Sequence, residues 1–245
     1  MRKLLAFILA LTTFTTAFAQ EDPTKAAPPK KTYQITSRAG DHFMVQLASN
    51  FWDGTADSVS SSVKGFNRSA NAYIMLNKPF KGNPKLSLGI GVGIGTSNIY
   101  FDKMNVLVGS TKSTLPFIRT DTGNYYKKYK LSTTYAEIPL ELRYTANPSN
   151  PGKSLKAAVG VKIGTLLNAH TKGKDLKNSA GNNLNSATVK ESSKSYFNTT
   201  RFAATARVGY GIFSLFGAYN ITNIFKDGVA PETKLLQVGI TISGL

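Results

Sequence analysis

The 245-residue chain contains no cysteine, which excludes disulfides, thiolate metal sites, a cysteine nucleophile and a lipidated N-terminal cysteine. Its two histidines, His42 and His170, leave little material for general-base chemistry. Acidic residues are scarce as well: 13 Asp and Glu stand against 30 Lys and Arg, a formal net charge of +17. Beyond residue 20 no continuous apolar stretch reaches the roughly 20 residues that a membrane-crossing helix needs. Any crossing by the later part of the chain must use strands, whose apolar residues come only at every second position.

What is present begins with Arg2 and Lys3, an apolar run from Leu4 to Phe14, and Ala17-Phe18-Ala19 ahead of Gln20. That order predicts a signal peptide over 1–19. A membrane anchor is disfavoured because Thr12, Thr13, Thr15 and Thr16 dilute the run too early. Loss of Arg2 and Lys3 would take the charge from +17 to +15. Basicity of this size suggests nucleic acid or anionic surfaces. Export removes nucleic acid from the expected partners and favours anionic lipid head groups. Residues 20–40 are polar and rich in proline and lysine (Pro23, Lys25, Pro28, Pro29, Lys30, Lys31), and they read as a flexible periplasmic lead-in. The folded domain is expected over 41–245.

There, alternation of period two dominates. Leu155, Ala157, Val159, Val161, Ile163, Thr165 and Leu167 oppose Lys156, Ala158, Gly160, Lys162 and Gly164. Leu86 to Ile94 alternate with Gly89, Gly91, Gly93 and Gly95, and Ala136, Ile138, Leu140 and Leu142 alternate with Glu137, Pro139, Glu141 and Arg143. Weaker patterns occupy 42–51, 66–78, 200–210, 212–222 and 234–243, for eight strands in all. Short links rich in turn formers fall at 81–84, 148–152 and around Gly211, whereas long polar links fall at 52–65, 102–130, 171–199 and 223–233. The expected fold is all-β: a closed antiparallel up-and-down transmembrane barrel of about eight strands, with short periplasmic turns and long extracellular loops.

A soluble lipocalin-like barrel would show the same alternation with its apolar face inside. Three features favour the membrane: a polar face rich in Gly, Ser and Thr, the asymmetry of the loops, and aromatic residues near strand ends in phase with the apolar face. These are Tyr100, Tyr144, Phe202, Tyr210 and Tyr219, placed as interfacial girdles would be.

Residues 135–144, YAEIPLELRY, resemble the Ile-Pro-Leu strand of the PorT-like outer-membrane β-barrel family of Bacteroidetes-type bacteria. The segment from Phe43 to Trp52, the glycine-rich third strand and Tyr219 to Gly228 extend the likeness over nearly the whole mature chain. Leu245 departs from the terminal aromatic that many barrels present to the assembly machinery. The resemblance implies a fold and an outer-membrane location, and no single activity.

Gly89, Gly91, Gly93 and Gly95 are spaced strictly by two with no helix following, so they suit a crowded inner face better than a phosphate loop. Glu137 and Glu141 point inward, and paired carboxylates are the material of acid–base chemistry. A hairpin centred near Ser149 or Asn150 puts Glu137 opposite Lys162 and Glu141 diagonal to Lys156, or Glu141 opposite Lys156 after a slip of two. With Arg143, Arg201 and Arg207 they form a lumenal ion-pair network, and an eight-stranded barrel is just wide enough for its own side chains. His42 and His170, both placed on the polar face, keep a lipase-like or acyltransferase reading open. No catalytic group, metal or cofactor is otherwise expected.

In 102–130 six basic residues against Asp102 and Asp121 leave +4, and in 171–199 five against Asp175 and Glu191 leave +3. Lys127, Lys128, Lys130, Lys172, Lys174 and Lys177, with Tyr125, Tyr126 and Tyr129 interleaved, are the expected basic loop contacts for lipopolysaccharide or a protein partner. The plainer alternative is that these lysines only keep long loops solvated. The function expected is a structural or interaction role in the outer membrane, with outer-membrane lipid and the assembly machinery as partners. A porin-like transport role and a membrane-embedded hydrolase are the alternatives.

Overall fold

The computed structural model describes residues 42–244; the expected signal peptide, the lead-in and Leu245 lie outside them. In chain order the elements are β1 (Phe43–Asp53), a helical turn α1 (Asp57–Ser60), β2 (Asn67–Pro79), β3 (Leu86–Phe101), β4 (Met104–Val106), β5 (Phe117–Arg119), β6 (Tyr125–Thr145), β7 (Leu155–Lys177), β8 (Asn183–Ser192), β9 (Thr200–Tyr210), β10 (Phe213–Asn220) and β11 (Lys234–Ser243). The eight barrel strands β1, β2, β3, β6, β7, β9, β10 and β11 each pair antiparallel with their neighbours, and β11 closes on β1. All eight expected strands are present, and the fold is a closed up-and-down barrel.

The alternation decides which side faces out. Val45, Leu47, Ile74, Leu76, Ile90, Val92, Ile138, Val159, Val161, Leu215 and Ile240 are exposed, while Gln46, Asn71, Glu137, Glu141, Lys162 and Thr241 between them are buried. The apolar face therefore points outward over a continuous band far larger than a soluble monomer exposes. Its outward apolar residues run from Tyr144 to Ala136 on β6, close to the ~9–11 residues a tilted strand needs to cross the hydrocarbon. Among the described residues no helix is long and apolar enough to do so.

Three short turns, at 80–85, 146–154 and 211–212, share one end of the barrel with Phe43 and Ser243. Tyr144 and Tyr210 ring that end, and Tyr100, Phe202 and Tyr219 ring the other, as girdles. Following cross-strand neighbours from Phe51 through Leu236, Tyr219, Ala204, Val161, Leu140 and Ile90 reaches Leu76. Phe43 pairs with Ile74, so one circuit covers eight residues from Phe51 to Phe43 and two more beyond, a stagger of ten. A staggered eight-stranded barrel tilts its strands by about 40° and leaves room for little beyond its own side chains.

Three expectations need correction. The segments 102–130 and 171–199 are not open loops: β6 starts at Tyr125, β7 runs to Lys177, and β4, β5 and β8 lie within them. Strands that rise above the membrane meet water on their outer face, so the apolar alternation that marks a strand is missing there. The β6–β7 register also differs, with Glu137 opposite Gly164, Glu141 opposite Gly160, and Lys156 opposite Thr145. A 3-10 turn at Pro151–Lys153 carries the hairpin centre past Asn150 and displaces every pair. Finally, the ladder shifts between Thr134 and Tyr135, leaving Leu167 as the extra residue of a bulge. Beyond it the phase of β7 inverts, so Ala169, Thr171 and Gly173 are buried and His170 faces outward instead of into the lumen.

Candidate functional site

Glu137 on β6 sits at the centre of the lower lumen, 2 % exposed. It pairs with Arg201 of β9 and accepts a hydrogen bond from the Tyr73 hydroxyl of β2, and Lys162 Nζ stands 3.7 Å away. Lys162 in turn donates to Tyr73 Oη at 3.2 Å. Nearer the periplasmic end Glu141 accepts from Arg143 at 2.8 Å and from Arg207 at 3.0 Å. Four of the expected cations thus join the two carboxylates. Lys156 is also buried but lies opposite Thr145, well below Glu141.

The inner glycines make space for these groups. A Cβ at Gly89 would lie 2.4 Å from Arg143 Nε, at Gly91 2.3 Å from Met75 Sδ, at Gly93 2.5 Å from the Tyr73 ring, and at Gly95 2.7 Å from the Glu137 carboxylate. Tyr73 was not singled out by sequence reasoning, although its odd-numbered place among Ser69 and Asn71 puts it on the polar face. Beside the ion pairs a set of amides spans β1, β2 and β11: Asn71 Nδ2 donates to Gln46 Oε1 at 3.2 Å, Gln46 Nε2 to Thr241 Oγ1 at 3.2 Å, and Gln237 Nε2 to Asn50 Oδ1 at 3.3 Å. Hydrogen bonds of this kind hold buried polar groups in a low dielectric, and within the set Asn71 Oδ1 is left without a partner.

Above this layer the lumen turns apolar. Trp52 meets Phe101 and Phe225 edge to face, each at 5.7 Å, and Phe117 and Phe197 close on Phe225 at 6.1 and 5.4 Å. Met104, Val106, Val108 and Leu115, all from the β3–β6 connection, fold into the same cluster. Tyr129 Oη donates to the Val106 carbonyl at 2.8 Å, and Tyr196 Oη bonds the Ser110 and Lys112 carbonyls at 2.7 and 2.8 Å. The connections are thereby folded inward as a cap. Between cap and ion pairs, a cavity lined by Trp52, Tyr135, Arg201 and Asn220 has about 10 Å³, room for about one water.

The family model described as outer membrane protein beta-barrel domain matches residues 18–226. The chain belongs to this family. No curated protein matches it. Membership agrees with the outward apolar band and places this family member in the outer membrane.

On its extracellular extension the barrel carries most of the expected basic contacts in order. Lys128 stands opposite Lys174 and Lys130 opposite Lys172 on the ladder, and Lys177 pairs with Tyr125 and Asn183. Lys127 does not join the row, because the ladder skips it where Asp175 takes a φ of 58°. These lysines lie on strands, and it is the pairing of β6 with β7 that brings the two sequence segments together. His170 lies beneath them, with Asn168 Nδ2 3.3 Å from its Nδ1. Burial, reinforced by Lys190, Lys130 and Lys172, holds its imidazole below the usual histidine range. His42 is exposed at the opposite end. Among the described residues no serine hydroxyl bonds either ring, the contact that a Ser–His nucleophile requires.

Proposed function

We propose that this family member is a PorT-like barrel with a structural or interaction role, acting through its extracellular surface and passing no solute. The observation that carries the reading is the double filling of the lumen, by the Glu137–Arg201 and Glu141–Arg207 pairs below and the Trp52–Phe101–Phe225 cluster above. Opening a path would require separating buried charges from their partners, at a cost of several kcal/mol each. The Ile138-Pro139-Leu140 strand supports the PorT-like branch. Outer-membrane lipid, lipopolysaccharide and the barrel-assembly machinery are the partners this role implies, with a protein partner reached through the cap.

Planar-bilayer recording of the purified full chain tests the reading. The expected record lacks discrete conductance steps; regular steps scaling with salt would establish the porin-like alternative. Phospholipase and acyl-transfer assays on the wild type address the hydrolase alternative, which would require activity lost on His42→Ala or His170→Ala.

A further inference from the structure

The outward residues of the extracellular extension form a connected basic row. Lys130 of β6 stands opposite Lys172 of β7, which stands opposite Lys190 of β8. On the other flank Tyr100 of β3 stands opposite Lys130, and its ring centre is 5.9 Å from both the Lys130 ammonium and the Arg68 guanidinium of β2. Lys130 also donates to the neutral Asn98 Oδ1 at 2.6 Å.

Like charges directly opposite on a sheet are destabilising. Among the described residues no carboxylate pairs with Arg68, Lys128, Lys130, Lys172, Lys174 or Lys190. Two acids adjoin these lysines in sequence: Glu191 stands opposite buried Thr171, on the face that looks toward Gly109, and Asp175 follows Lys174 at a φ of 58°, where the β7–β8 ladder shifts, and forms no ion pair with the row. The field of the row is felt one position below, where Lys190, Lys130 and Lys172 oppose protonation of His170. This concentration of charge has the character of a site whose counter-charge comes from outside the chain.

Its height identifies the source. Arg68 lies two residues beyond Ala70 on β2 and Lys130 six beyond Ala136 on β6. At ~3.3 Å per residue on strands tilted about 40°, the row starts roughly 5 Å above the last outward alanine and reaches roughly 15 Å at Lys130. That interval holds the head groups and first saccharides of the outer leaflet. Ile74, Ile94 and Ile138 continue directly below as an exposed apolar face.

We propose that the Arg68–Tyr100–Lys130–Lys172–Lys190 row binds the phosphorylated saccharide head of an outer-leaflet glycolipid, whose acyl chains lie on the apolar face of β2, β3 and β6. The inference rests on the reading of a barrel that acts through its extracellular surface, and gives its lipid partner a site. Phosphate takes the place of the missing carboxylates, and the row fixes one lipid on one flank of the barrel.

The test compares the full-length protein in phosphatidylcholine nanodiscs with and without bisphosphorylated lipid A, with monophosphorylated lipid A as a third arm. The wild type is expected to bind the bisphosphorylated form most tightly, with an affinity that falls as salt rises. The variant K130Q/K172Q/K190Q is expected to lose roughly 100-fold, and K130R/K172R/K190R to retain binding. K81Q/K85Q/K153Q removes the same charge at the periplasmic turns and is expected to behave as wild type. Absence of lipid A binding, equal binding by wild type and the first variant, or equal loss in the periplasmic variant would each overturn the proposal. Unheated gel migration reports barrel closure in every variant. Channel steps from the wild type would defeat the sealed-lumen reading and leave a selective lipid result standing, so the two failures are distinguishable.

Discussion

Glu137 and Arg201 form their ion pair across Gly164, the residue that stands between them in the ladder. β6 and β9 are separated by β7, and the two side chains meet because the intervening position has none. The pair therefore depends on a third strand that contributes only backbone.

Glu137→Ala is expected to destabilise the barrel by roughly 3 kcal/mol, because it leaves the buried Arg201 cation uncompensated. Adding Arg201→Ala should recover part of that loss. Lys162→Ala should couple more weakly, since its ammonium is 3.7 Å from the carboxylate and also donates to Tyr73. Urea unfolding of the four members of each cycle in lipid supplies the coupling energies; a zero for the Arg201 cycle would remove the pair from the stability argument.

Gly164→Leu places a side chain where Cβ alone would lie 3.1 Å from the Ala136 carbonyl and 3.2 Å from Glu137 Cγ. Overpacking here should cost about 1–3 kcal/mol, and Gly164→Ala distinctly less. Midpoints from the same unfolding experiment check the order. Equal stability of Leu and Gly at this position would show that the lumen has slack the distances do not suggest.

Phe225→Ala removes the ring on which Trp52, Phe117 and Phe197 converge. The loss, about 3–5 kcal/mol for a buried phenylalanine, should fall on the cap, since the strand ladder is untouched. Limited proteolysis is expected to cut the variant within 102–118 much faster than wild type, while its unheated gel migration still reports a closed barrel. Collapse of both would mean that cap and barrel fold as one unit.

His170 is expected to titrate below the ordinary imidazole midpoint, with burial as the main cause and Lys190, Lys130 and Lys172 as the next. Its neutral form is favoured in the folded state, so this residue's contribution to stability is full above the unfolded midpoint and is lost as pH falls through the lower, folded one. NMR titration of the ring should show the midpoint rising in K130Q/K172Q/K190Q. A midpoint indifferent to those lysines would mean that burial alone sets it.

The sequence alone was sufficient for the strand count, the division of each strand into an apolar and a polar face and the membership of Glu137, Glu141, Arg143, Lys162, Arg201 and Arg207 in the polar one. These follow from a period of two, which each strand carries in its own residues wherever lipid demands an apolar face. What lay between strands was not legible. The partners of Glu137 depend on a register set by the 3-10 turn at Pro151–Lys153, and His170 is turned outward by a bulge at Leu167 that no composition marks. The upper halves of β6 and β7 were hidden for a related reason: water accepts any polar residue on their outer face, so the pattern that signals a strand is absent. Only the pairing of β3 with β6, β6 with β7 and β7 with β8 decided that Tyr100, Lys130, Lys172 and Lys190 share one row, because hydrogen bonding between strands fixes neighbours that local periodicity leaves free.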